Sequence, residues 1–233
     1  MSTKDFTANV ISATKVVPDG AFQNSAASGV WDLSEQYDLR RGGNWPETGN
    51  ADIANRGVFA GGYTGSVDSD VIDFVDIAST GNAIDFGNLT SGKWSIAALS
   101  SATRGLFAGR YNFINNIDYI VLGTTGNASD FGDLSTTSGN GAGCSSKTRG
   151  IFAIGLTDTD AYSNIIEYVT IANTGNTTDF GNLTVARRSL ASCSSPTRGI
   201  WAGGSIGGGP PFNTNVIDYV TIASTGNATD FGD

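Results

Sequence analysis

The sequence has no histidine, one methionine and two cysteines, and its five prolines stand against 32 glycines. Without histidine, the usual general base, the Ser-His nucleophile systems and most zinc sites are excluded. Cationic side chains are scarce as well: 13 Lys and Arg face 22 Asp and Glu, a formal net charge of −9. Binding through phosphates needs clustered cations, so a nucleic-acid partner is not expected. No apolar run approaches the length of a membrane span, and Met1-Ser-Thr-Lys-Asp-Phe6 has no apolar stretch behind a basic start. Membrane insertion and a Sec-type signal are therefore not expected. Many glycines with few prolines point to tight turns rather than stiff linkers.

What the chain does have is repetition. Asn55-Arg-Gly-Val-Phe-Ala-Gly-Gly62 returns as Thr103-Arg-Gly-Leu-Phe-Ala-Gly109, Thr148-Arg-Gly-Ile-Phe-Ala-Ile-Gly155 and Thr197-Arg-Gly-Ile-Trp-Ala-Gly-Gly204. The marker arginines Arg56, Arg104, Arg149 and Arg198 are 48, 45 and 49 residues apart. Such a period marks supersecondary units that cannot bury their own apolar faces and must stack on neighbours. Within each unit the pattern predicts four short antiparallel strands, as in Arg188 to Ser195, Gly199 to Gly204, Asn215 to Ala223 and the segment after the Gly226-Asn227 turn. In the third of these, neither alternating face is plainly polar, so cover on both sides is expected. Radially packed sheets supply that cover, and the expectation is an all-β propeller of about four four-stranded blades. The copies start near residues 55, 103, 148 and 197 within a domain of residues 51–233. The first copy lacks a convincing innermost strand. Whether four blades close one ring, or more chain or more subunits are needed, is left open.

Residues 1–50 stand outside the repeat. Ala8 to Val17 has β character, and Asp32-Leu-Ser-Glu35 has the form of a capping box opening a short helix near 32–41, ended by Gly42-Gly43. A helix of that length must dock to be stable. Trp31, Leu33, Tyr37 and Trp45 are the candidate docking residues, which makes this a small β/α anchoring segment.

The repeats resemble those of kelch-type propellers, in the arginine-rich start of the first strand at Ala186-Arg-Arg188, the Gly61-Gly62 and Gly203-Gly204 ends of second strands, and the acid before an aromatic in the third. Two copies depart from the double glycine, with Gly109-Arg110 and Ile154-Gly155, and the usual fourth-strand tryptophan is replaced by Phe86, Phe131, Phe180 and Phe231. The segment Ser28-Gly-Val-Trp-Asp-Leu-Ser-Glu-Gln-Tyr37 through Gly43-Asn-Trp-Pro46 resembles the N-terminal region of bacteriophage tail-fibre and appendage proteins, which also carry repeats of this wording. The resemblance implies a virion structural protein, assembled in the host cytoplasm, with other virion proteins and further copies of itself as partners and a host-surface glycan as a ligand. A free bacterial carbohydrate-binding propeller is the alternative, and a glycan-degrading enzyme a more distant one.

Asp-Phe-Gly at 85, 130, 179 and 230 has the wording of a kinase metal motif, but recurrence in every copy makes it structural. The aspartate is expected to cap a turn, the phenylalanine to fill a seam between blades and the glycine to bend the chain. The sequons at Asn88, Asn127, Asn176, Asn182 and Asn227 are read as turn chemistry, with Asn tolerating positive φ. Cys144 and Cys193 occupy equivalent places and are expected as apolar fillers, not a disulfide. Asp68 with Asp70 and Asp158 with Asp160 are read as solvated loop acids. No catalytic residue, metal ligand or cofactor is expected, and the chain is not read as an enzyme.

Specificity is expected where the copies differ, in the loops between second and third strands. Each loop carries an aromatic: Tyr63, Tyr111 with Phe113, Tyr162, or Phe212. These are the candidate ligand contacts, because aromatic rings beside short polar side chains suit sugars.

Overall fold

In the computed structural model, the described residues are 55–109, 114–207 and 212–233. The expected N-terminal helix and the docking residues Trp31, Leu33, Tyr37 and Trp45 lie outside them, as do Tyr111 and Phe113. The chain divides at Asn55/Arg56, and all the described strands belong to the second unit, Arg56–Asp233.

That unit is built of four antiparallel sheets with strands in sequence order, a four-bladed propeller-like stack. The first blade has three strands, β1 (Arg56–Ala60), β2 (Val71–Asp76) and β3 (Ile84–Asn88). The second comprises β4 (Ala97–Ser100), β5 (Arg104–Ala108), β6 (Ile114–Val121) and β7 (Ser129–Ser138). The third is β8 (Ala142–Ser145), β9 (Arg149–Ala153), β10 (Ile165–Thr170) and β11 (Thr178–Asn182). The fourth is β12 (Ala191–Ser194), β13 (Arg198–Ala202), β14 (Ile217–Thr221) and β15 (Thr229–Gly232).

The blades cohere because apolar side chains on both faces of the middle strands meet across seams. Between the second and third blades, Leu99, Leu106 and Phe131 from one side pack with Phe152, Val169 and Ile171 from the other. Between the third and fourth, Cys144, Ile151 and Phe180 meet Trp201, Val220 and Ile222. Burying a side chain of this size is worth about 1.5–3 kcal/mol. The two-sided cover expected of the third strand is present in the third blade, where Val169 and Ile171 of one face are buried in one seam and Ile166 of the other face in the next. In the fourth blade only the face of Asp218, Val220 and Ile222 is buried.

The repeated Asp-Phe-Gly carries a bulge. In each blade the register slips at Ile72/Asp73, Ile117/Asp118, Ile166/Glu167 or Ile217/Asp218, so Phe86, Phe131, Phe180 or Phe231 is the extra residue of the outer strand. The first three are buried in seams. Each packs edge-on against the aromatic of the neighbouring strand, as Phe131 does on Tyr119 at 5.9 Å between centroids. Gly132 follows with φ +145°, and a side chain there would run into the Gly175 carbonyl of the next blade. The glycine thus serves close approach as well as bending. The aspartates Asp85, Asp130, Asp179 and Asp230 are exposed, and among them Asp230 accepts from the Gly232 N–H at 3.1 Å.

Two expectations need correction. The hairpin asparagines do not take positive φ, which falls on the preceding glycines Gly126, Gly175 and Gly226. Their Oδ1 atoms instead accept from the backbone of the previous blade: Asn127 from Asn88, Asn176 from Asp133 and Asn227 from Asn182, at 3.0, 3.0 and 3.1 Å. The asparagine is a clasp between blades. The cysteines are free, as expected, but only Cys144 is a buried filler; Cys193 is exposed, because among the described residues no further blade covers the fourth.

The marker arginines open the second strands and clamp one blade to the next. Arg56, Arg104 and Arg149 donate to the carbonyls of Leu122, Ile171 and Ile222 at 2.7, 3.0 and 2.9 Å. Each guanidinium lies over an aromatic ring of its own blade, Phe74, Tyr119 or Tyr168. Arg198 keeps the ring contact, on Tyr219, and is exposed.

Candidate recognition face

Antiparallel strands place the loops between second and third strands on one rim, together with the connections from each outer strand to the next blade. On that rim the first loop is fixed from below. Gly62 N–H donates to the Lys93 carbonyl at 2.8 Å, and Lys93 N–H to the Ser69 carbonyl at 2.9 Å. The Lys93 side chain is in turn buried in the second blade, 3.0 Å from Asp118, with neither group exposed. Asp118 also accepts from the Thr90 N–H and hydroxyl and from the Asn116 amide. The connection is therefore pinned on both sides, and the residue after the lysine, Trp94, meets Tyr63 with centroids 5.4 Å apart and planes 31° from parallel.

The same construction recurs at the last seam. Arg187 N–H donates to the Ser163 carbonyl at 3.1 Å. Its fully buried guanidinium lies 3.0 Å from Asp218 and donates to the Trp201 carbonyl. The next residue, Arg188, sits over the Tyr162 ring at 5.3 Å. Trp94 and Arg188 are thus equivalent, each one residue beyond a buried cation and each against the tyrosine of the preceding loop. The third blade varies the theme: Ser138 replaces the cation, and the buried acid is Glu167, which accepts from the Ser135 N–H and hydroxyl and from the Thr177 hydroxyl.

Buried ion pairs contribute little net stability and are costly to break, so their value here is geometric: they hold the rim connections in place. Composition and motif reading do not reveal these pairs. A signal is nevertheless present, since Lys93 and Arg187 each follow closely on Asn88-Leu-Thr90 and Asn182-Leu-Thr184, and Asp118 and Asp218 share a place in the third strand.

Of the expected contacts, Tyr63 and Phe212 are 55% and 54% exposed, whereas Tyr162 is half-buried between Arg188 and Gly207, where a side chain on Gly207 would press on the ring. No ring contact joins Tyr63, Tyr162 and Phe212 to one another among the described residues. The rim offers separate stations at the seams, the first being an exposed tyrosine tilted against tryptophan. Asp158 and Asp160 are exposed in a tight turn closed by Thr157 and Ala161, and no cluster able to hold a metal ion occurs among the described residues. A cleft of about 430 Å³ lies on the opposite rim, lined by Ser146 to Arg149, Pro196, Ile222 and Ala223. Its one guanidinium, that of Arg149, is already engaged by Ile222 and Tyr168.

No family model matches the chain, and no curated protein matches it either.

Proposed function

We propose that the chain is a non-enzymatic recognition and structural protein of a bacteriophage particle, with residues 1–50 as its anchor and the propeller rim as its contact with a host-surface glycan. The observation that carries the recognition part is the exposed Tyr63 ring over Trp94, set on a rim whose support repeats while its loops diverge. Paired aromatic faces stack on the C–H faces of sugars, and the exposed flanking Thr64 and Ser66 supply short polar groups. The resemblance of residues 28–46 and of the kelch-like repeats to phage appendage proteins supports the particle. The experiment is binding of the full chain to host cells and to an array of host glycans, with Tyr63→Ala and Trp94→Ala as variants, together with a search for the chain in purified particles. Binding that falls about tenfold or more with either variant supports the rim. Unchanged binding places recognition elsewhere, and absence from particles favours the free carbohydrate-binding reading.

A further inference from the structure

Stacked repeats need capped ends, and among the described residues this stack has none. The outward face of the first blade carries Phe59 and Ile77, 63% and 70% exposed. Their equivalents at every inner seam, Phe107 with Leu122, Phe152 with Ile171 and Trp201 with Ile222, are buried. At the other end Phe231 is 53% exposed, although Phe86, Phe131 and Phe180 are buried.

The two open faces are complementary halves of the same seam. A seam is made when the earlier blade supplies an arginine, a bulged phenylalanine and an innermost-strand side chain, while the later blade supplies a carbonyl, a Gly-Asn turn and a bare glycine. At the third seam these are Arg149 to the Ile222 carbonyl, the Phe180 carbonyl accepting from Gly226 N–H, and Cys144 against Gly199. The second seam repeats them with Arg104 to Ile171, Phe131 to Gly175, and Leu99 against Gly150. The fourth blade presents the earlier half with Arg198, Phe231 and Cys193, all exposed. The first blade presents the later half with the Ile77 carbonyl, Gly81-Asn82 and Gly57. Among the described residues, the atoms nearest a side chain added at Gly57 belong to Ile77 and Val75 of its own blade, whereas Leu99 lies over Gly150 and Cys144 over Gly199.

We propose that the fourth blade of this chain docks on the first blade of a second copy, head to tail, by the seam that already joins its own blades. Arg198 then donates to the partner copy's Ile77 carbonyl, Phe231 is buried beneath its Gly81-Asn82 turn, and Cys193 covers its Gly57. Because the two surfaces differ, the contact is heterologous and closes into a ring of copies or continues as a file. This inference stands whether or not the chain belongs to a particle.

The test uses the full chain, 24.0 kDa per copy, in light scattering over a range of concentration. The wild type is expected to self-associate, and Phe231→Arg and Ile77→Asp each to be folded monomers, since both residues are exposed. Mixing the two variants is expected to give a dimer, because Phe231→Arg retains an intact first blade and Ile77→Asp an intact fourth. In parallel, oxidised Gly57→Cys is expected to yield disulfide-linked multimers that Cys193→Ser abolishes. A monomeric wild type would show the faces to be covered from within the chain or left bare, and would overturn the proposal. So would association insensitive to both variants, a mixture that stays monomeric, or a disulfide in Gly57→Cys that joins the new thiol to Cys193 of the same chain.

Discussion

The sulfur of Cys144 in the third blade occupies the space where a side chain on Gly199 of the fourth would begin. One copy of the repeat needs a glycine because another carries a side chain, and Leu99 on Gly150 repeats the relationship with a larger group. This pairing transmits shape from blade to blade and makes the seam specific in register.

Gly199→Ala is therefore expected to destabilise the fold by about 1–3 kcal/mol, the usual range for overpacking. Cys144→Ala removes the obstructing sulfur, so the double variant should recover much of that loss. Denaturant unfolding of the four proteins of the cycle measures the coupling, expected at about 1 kcal/mol or more for residues in contact.

How far this architecture can be read from the sequence depends on what repeats and at what scale. Strand order, blade number and the seam role of Phe86, Phe131 and Phe180 are legible, because apolar alternation and a fixed period are properties of the chain itself. The role of Asn127, Asn176 and Asn227 is not. A Gly-Asn pair signals a hairpin, but the donor that the side chain satisfies belongs to a strand about 40 residues earlier. The burial of Lys93 and Arg187 is hidden for a related reason: Lys93 in a Ser- and Gly-bearing connection, and Arg187 in the arginine-rich start of a first strand, have the look of solvated cations until an acid is brought over them. The exposure of Cys193 and Phe231 is hidden by the repeat itself, which suggests the same neighbours for every copy, and among the described residues the last copy lacks them.

Asp218→Ala is expected to cost about 3–5 kcal/mol, because it strands the buried Arg187 charge as well as the Thr184 N–H and hydroxyl. Asp118→Ala should behave alike through Lys93 and Thr90. Replacing the Arg187 and Asp218 pair together by apolar residues of similar volume should lose far less. Thermal unfolding of the single and paired variants separates the two outcomes.

Tyr63 and Tyr162 lie in corresponding loops but at different places in them, Tyr63 bridging Asp68 where Leu156 bridges Tyr162, and their removal should differ in its effect on stability. Tyr162→Ala removes a half-buried ring from between Arg188 and Gly207, and a loss of about 1–2 kcal/mol is expected. Tyr63→Ala removes an exposed ring and should fall within about 0.5 kcal/mol of wild type. Denaturant midpoints decide, and a large loss for Tyr63→Ala would show that its contact with Trp94 supports the fold.

The two cysteines give the last prediction. Burial chiefly, with the neighbouring Cys193 thiol second, pushes the Cys144 thiol up from 9.0 to about 12. At pH 8 a thiol reagent should modify one cysteine per chain of the monomeric Phe231→Arg variant, the exposed Cys193, and both after denaturation. The same shift sets a pH dependence. Between about pH 9 and 12 the folded chain keeps a proton that the unfolded chain releases, so stability falls as pH rises, by roughly 1.4 kcal/mol per unit. Below pH 9 both states hold the proton and this contribution is flat. Cys144→Ala should start lower in stability at neutral pH through lost packing, but should decline less steeply above pH 9. Parallel slopes for the two proteins would show that the thiol ionises freely in the folded state.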